Sequence, residues 1–251
     1  PAGQGPENTP PAVVEPSGPL APFGDDLGAP KTATPVRPVA TANTTDTAAG
    51  EPIRDLASAA RRARELAATL YGAFPEVAKW ASLPDVVQRT VAAADCIAQG
   101  GSPRRHLSFL TPSAPFQAKQ TANGWVVDPA SYSRYDRIAG AFCAGDAAQV
   151  AAAYRQFEPA LDLAYRGLGY GDGAFRDVLG RAAGELLAVP VPADPVYVVP
   201  SGRTYSYADA ALQSQSDARK HLLRLGPANM RKVQNRIREL AAAAGVKVVT
   251  P

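Results

Sequence analysis

The residues best equipped for chemistry are few and far apart. Two histidines, His106 and His221, and two cysteines, Cys96 and Cys143, are present. Neither histidine has a second His or Cys at the spacing a zinc site requires, so no metal is expected. His106 follows Arg104-Arg105 and reads as a solvated loop residue. His221 lies within Lys220-His221-Leu222 on a helical stretch, where a surface or capping role is expected. Two cysteines cannot build a four-thiolate zinc site or a dense disulfide framework. They are read either as two separate buried thiols or as one bridge, which would contribute roughly 4 kcal/mol by chain entropy. No Gly-x-Ser-x-Gly elbow occurs, nor a glycine-rich phosphate loop ending in Lys-Ser/Thr. The run Gly167-Leu-Gly169-Tyr-Gly171-Asp-Gly173 follows a helix rather than a strand, so it reads as a terminator and turn. No spacing singles out a carboxylate pair among the 23 acidic residues. The chain therefore reads as non-enzymatic and without a cofactor.

Two polar groupings remain. Tyr132, Arg134, Tyr135, Asp136 and Arg137 are adjacent, and Arg134 or Arg137 could pair with a carboxylate while the tyrosines cap a small-molecule pocket. The same residues would serve equally as buried hydrogen-bonded structure. Between Asp217 and Lys247, eight basic residues face two acidic ones. Arg219, Lys220, Arg224, Arg231, Lys232, Arg236 and Arg238 are read as a basic surface, solvated or facing anionic lipid or nucleic acid. Nucleic acid is the less favoured partner, because an exported domain does not meet it.

The elements that must position these groups are mostly helices. Ile53, Leu56, Ala60, Ala63, Leu66, Ala67 and Leu70 recur at helical spacing, and Pro75 stops that helix. Ser82-Leu83-Pro84 starts another, with Ser82 as its N-cap and Val86, Val87, Val91 and Ile97 facing inward. Residues 102–130 are non-helical, with a hairpin of Phe116–Lys119 and Trp125–Val127 around Asn123-Gly124. Helical sequence from Tyr132 to Leu168 breaks at Gly145-Asp146, and Pro159 must kink or divide it. A helix over Ala174–Leu187 precedes a second hairpin, Val196–Val199 and Arg203–Tyr207. Residues 215–244 read as a helical hairpin, with Gly226 ending the first helix, Pro227 opening the second, and Met230, Val233, Ile237 and Leu240 as one buried stripe.

The first fifty residues differ in kind. Prolines number 24 in the chain, many of them here, with no aliphatic periodicity, so the segment is expected to be disordered alone. Its reach would be roughly 40 Å as a flexible coil. Val13, Val14, Leu20, Phe23 and Leu27 could anchor it on a partner. The fold class expected is mainly α: a single helical domain over residues 51–247 with one or two short β-hairpins, behind a long irregular proline-rich arm at 1–50. A formal charge of +3 does not by itself indicate nucleic acid. No stretch approaches the roughly 18 apolar residues needed to span a bilayer, and a signal or anchor is expected to have preceded Pro1.

Four phrases in order carry a resemblance. They are Asp128-Pro129-Ala-Ser-Tyr132-Ser-Arg134-Tyr135-Asp136, Pro159 through Tyr170, Tyr205-Ser-Tyr207-Ala-Asp209, and Leu222-Leu-Arg224-Leu-Gly226-Pro227-Ala-Asn229. Over about Val86 to Leu240 the chain resembles the bacterial domain-of-unknown-function family 3014. The resemblance implies an inner-membrane protein with one N-terminal membrane helix, a proline-rich linker and a domain outside the cytoplasm. It implies no reaction, cofactor or residue role. The expected function is a non-enzymatic accessory or scaffold subunit on the periplasmic side of the membrane. Its partners would be subunits of a photosynthetic, respiratory, secretion or cell-wall complex.

Overall fold

The first helix among the described residues is α1 (Leu56–Leu70), capped by Asp55, whose carboxylate accepts from Ser58 N at 2.8 Å. The computed structural model describes residues 51–193 and 195–251. The expected arm, with Val13, Val14, Leu20, Phe23 and Leu27, lies outside the described residues. Pro75 does more than end a helix: it occupies the first turn of α2 (Pro75–Ala81), where its missing N–H costs nothing. Ser82 is the C-cap of α2, its hydroxyl donating to Ala78 O at 2.8 Å, rather than the N-cap expected for the next helix. That helix, α3 (Val86–Ala98), begins after Asp85 and buries Val86, Val87 and Val91.

The expected break at Gly145-Asp146 is present, and a second break precedes it. The helical stretch comprises α4 (Pro129–Ser133), α5 (Asp136–Cys143) and α6 (Ala147–Arg166). Asp128 caps α4 through Ala130 N, and Asp146 caps α6 through Gln149 N. Pro159 does not divide α6, which runs through it as one helix. Burial of Ala160, Leu161, Ala164 and Tyr165 just beyond offsets the hydrogen bond that proline cannot make. Gly167 then closes α6, and Gly169 and Gly171 take positive φ in the turn before α7 (Phe175–Leu187), as expected of a terminator.

The two hairpins form one sheet. β1 (Ala118–Thr121), β2 (Gly124–Val127), β3 (Tyr197–Ser201) and β4 (Thr204–Tyr207) lie in chain order, every pair antiparallel. Gly124 already pairs with Thr121, so the first turn is Ala122-Asn123, one residue earlier than Asn123-Gly124. The sheet's inner face supplies Val127, Val198, Tyr205 and Tyr207, packed on Leu222, Leu223, Met230, Val233 and Ile237. Those five come from α9 (Asp217–Leu223) and α10 (Gly226–Ala244), which follow the short α8 (Ala210–Gln213). A second core lies among α1, α3, α6 and α7, centred on Val91, Ala160, Phe175 and Val178. α10 packs on α5, α6 and α7, joining the two cores. The fold is thus mainly helical with a small antiparallel sheet.

The C-terminal tail is laid onto α7. Val249 N donates to Gly180 O at 3.0 Å. A Cβ on Gly180 would stand 2.2 Å from Lys247 O, and one on Gly184 only 1.6 Å from Val249 O. Glycine at both positions is what lets two backbones approach this closely.

Candidate functional site

The phrase from Asp128 to Asp136 is a hub from which Asp128, Ser131, Tyr132, Arg134 and Asp136 reach other segments of the chain. Lys119 of β1 pairs with Asp128 at 2.9 Å and holds its carboxyl below the usual carboxylate range. Buried Ser131 donates to Gln117 O at 2.7 Å and accepts from Gln117 N at 2.6 Å, locking α4 to the strand entry. Arg134 donates from Nε to Ser131 O and from Nη1 to Ala114 O, and its guanidinium lies over the Phe116 and Tyr135 rings. Asp136 accepts from Asn229 Nδ2 at 2.8 Å. Tyr132 faces Gly226, where an added Cβ would fall 2.4 Å from the ring carbon Cγ.

The motif residues therefore separate into two groups. Tyr132, Asp136, Gly226, Pro227 and Asn229 form a joint between α4–α5 and the start of α10, around a cleft of about 240 Å³. Gly226 has φ of +77°, a conformation that disfavours any side chain. Arg134 and Tyr135 turn the other way, into a cavity of about 190 Å³ that they share with Arg104, His221 and Arg224. Leu107, Leu110, Ile138 and Leu225 supply apolar wall. Among the described residues, its lining contains three guanidinium groups and no carboxylate.

Arg137 does not join the cavity; it is exposed and pairs with Glu76 of α2.

The electrostatics of the cavity follow from His221. Arg224 Nη1 lies 3.2 Å from His221 Nδ1, and a guanidinium can only donate. Nδ1 is thus the acceptor, the ring is neutral, and the proton is on Nε2, which donates to Ser102 Oγ at 2.7 Å. Burial, with Arg224 and Arg104 nearby, pushes the His221 pKa down to about 3. Desolvation also lowers the pKa of Arg224. Ser102 and His221 superficially form a nucleophile–base pair, but the polarity is reversed. Nε2 has no lone pair for a serine proton, and a cation stands where a catalytic dyad is steadied by a carboxylate.

The expected basic surface of the terminal hairpin does not exist as one face. Arg236 is buried and donates to Ala144 O and Gly145 O at 3.0 and 2.9 Å, satisfying carbonyls at the end of α5. Arg219 pairs with buried Glu185 at 2.8 Å, Lys220 approaches Asp217, and Arg224 lines the cavity. Arg231, Lys232 and Arg238 remain exposed. Both helices bury most of their girth, so cations are distributed inward as well as outward.

Cys96 and Cys143 are free thiols, and burial pushes both thiol pKa values up. Cys96 Sγ donates to Ser102 O at 3.2 Å. Among the described residues no group of His, Cys, Asp and Glu could hold a metal ion, and no helix is long and apolar enough to cross a membrane.

His221, Arg104 and Ser102 were not anticipated at a site. The pertinent signal was Leu222-Leu223-Arg224-Leu225: a charge inside an apolar run is a charge carried into the interior.

The fold and cavity define a mainly helical domain with a small antiparallel sheet and a cationic, apolar-walled pocket. The chain belongs to the family described as Protein of unknown function (DUF3014), whose model matches residues 86–241. That span holds all four phrases and every cavity residue named above. No curated protein and no solved structure matches the chain.

Proposed function

We propose that the folded domain is a non-catalytic binding module for a small organic anion. The observation that carries this reading is the convergence of Arg104, Arg134 and Arg224 on one apolar-walled cavity. Guanidinium groups in a partly desolvated site interact with an anion far more strongly than they would in water. The reversed Ser102–His221 pair supports binding over hydrolysis at this place. Thermal melts of the whole chain against a panel of small organic acids and their neutral amides test it. Saturable stabilisation by acids and not by amides is the expected result. No stabilisation by any acid, or equal stabilisation by the amides, would overturn it.

A second reading keeps the domain as an accessory subunit of a membrane-associated complex on the periplasmic side, carried by the proline-rich composition of residues 1–50. The two are compatible, since a pocket can report a ligand to a partner. Deleting residues 1–50 and comparing co-purified proteins checks this reading: unchanged co-purification with every partner would sink the arm's role.

A further inference from the structure

We infer that the ligand of this pocket is a monocarboxylate on a single flat apolar body, an aromatic or similarly compact acid, rather than a phosphate or a nucleotide. The inference rests on the anion-binding reading above and narrows it.

Size sets the first limit. The cavity of about 190 Å³ falls below the roughly 300 Å³ at which pockets begin to enclose drug-sized ligands. It is close to the roughly 150 Å³ of an apolar cavity that takes one benzene ring.

Wall chemistry sets the second. Leu107, Leu110, Ile138 and Leu225 line the space with the Phe116 ring. An inorganic phosphate would leave those walls against water, whereas a ring buries them at about 25 cal/mol per Å².

Geometry sets the third. Arg134 is immobilised before any ligand arrives: Ser131 O and Ala114 O hold its Nε and Nη1 at 2.8 and 2.9 Å, and it lies over the Phe116 and Tyr135 rings. What is left for a ligand is Nη2 and the second N–H of Nη1, the one edge of the guanidinium that can still meet a two-oxygen acceptor.

The test is calorimetric titration of the full chain with three probes: benzoate, benzyl alcohol and inorganic phosphate. Benzoate binding at least tenfold tighter than the other two supports the inference. Phosphate binding as tightly as benzoate would overturn it while leaving the anion pocket intact. Benzyl alcohol matching benzoate, or no probe binding at all, would overturn both the inference and the reading beneath it. Two variants locate the site. Arg224→Gln should weaken benzoate at least tenfold. Ile138→Phe, which fills the apolar part and leaves every cation in place, should do the same and keeps the test alive if the first variant does not fold. Benzoate binding unchanged in Ile138→Phe would place the ligand elsewhere and refute the assignment.

Discussion

Arg224 Nη1 and His221 Nδ1 meet at 3.2 Å, a contact that only a neutral imidazole can accept. The unfolded chain takes up a proton on this histidine near pH 6.5, but the native pocket refuses it until about pH 3. The unfolded state therefore binds more protons throughout that window. Stability contributed by neutral His221 is complete above pH 6.5 and is lost as pH falls toward 3. The groups facing the ring are Arg224 on its own helix, and Arg104 and Ser102 on the segment after α3. His221→Gln keeps an acceptor and a donor without titrating. Urea unfolding at a series of pH values should show a shallower decline for this variant between pH 6.5 and 4, by an amount on the order of a few kcal/mol. Parallel profiles would mean the ring titrates normally.

Gly226 cannot carry a side chain. Its φ is +77°, and a Cβ would overlap the Tyr132 ring. Gly226→Ala should lower unfolding free energy by at least about 2 kcal/mol. Pairing it with Tyr132→Ala should restore part of the loss, since the overlap is then removed and only the backbone cost remains. Strict additivity in the double-mutant cycle would show that the two do not press on each other.

Asn229 is buried and donates from Nδ2 to Asp136 Oδ1 at 2.8 Å and to Leu225 O at 3.2 Å. Replacing it with alanine leaves those acceptors short of a donor and should cost about 1–3 kcal/mol. Denaturant midpoints with an unchanged slope would report it. A change below about 0.5 kcal/mol would remove Asn229 from the joint.

Gly184 admits the C-terminal tail to within backbone contact of α7. Gly184→Ala should expel residues 247–250, costing at least about 2 kcal/mol despite the better helix propensity of alanine. Amide exchange at Val249, which donates to Gly180 O, should rise to that of an open chain. Retained protection would contradict the packing.

Much of the helical scaffold was legible because its signals are local. The Met230, Val233, Ile237 stripe is buried as its spacing requires, and Pro227 sits in the first turn of α10, but α9 already ends at Leu223 and Gly226 opens α10 rather than closing α9. Pairing between the hairpins was not legible, because Trp125↔Val198 joins residues separated by four helices. The basic hairpin was misread for a related reason. Net charge along a segment says nothing about which cations a neighbour will bury, and Arg236 is consumed by the Ala144 and Gly145 carbonyls just after α5. The pocket draws Arg104, Arg134 and Arg224 from three distant segments, so no window of sequence contains it. Arg134 and Tyr135 were the visible part, readable either as pocket lining or as buried structure, while the rest of the pocket lay in other segments.

The central claim is that the three guanidinium groups act together on one anion. Nitrogen-detected NMR of arginine side chains, recorded while benzoate is added to the full chain, tests it most directly. The Arg104, Arg134 and Arg224 resonances should shift with one common saturation curve, while those of exposed Arg231 and Arg238 stay fixed. Shifts confined to exposed arginines, or absent from Arg224, would contradict it.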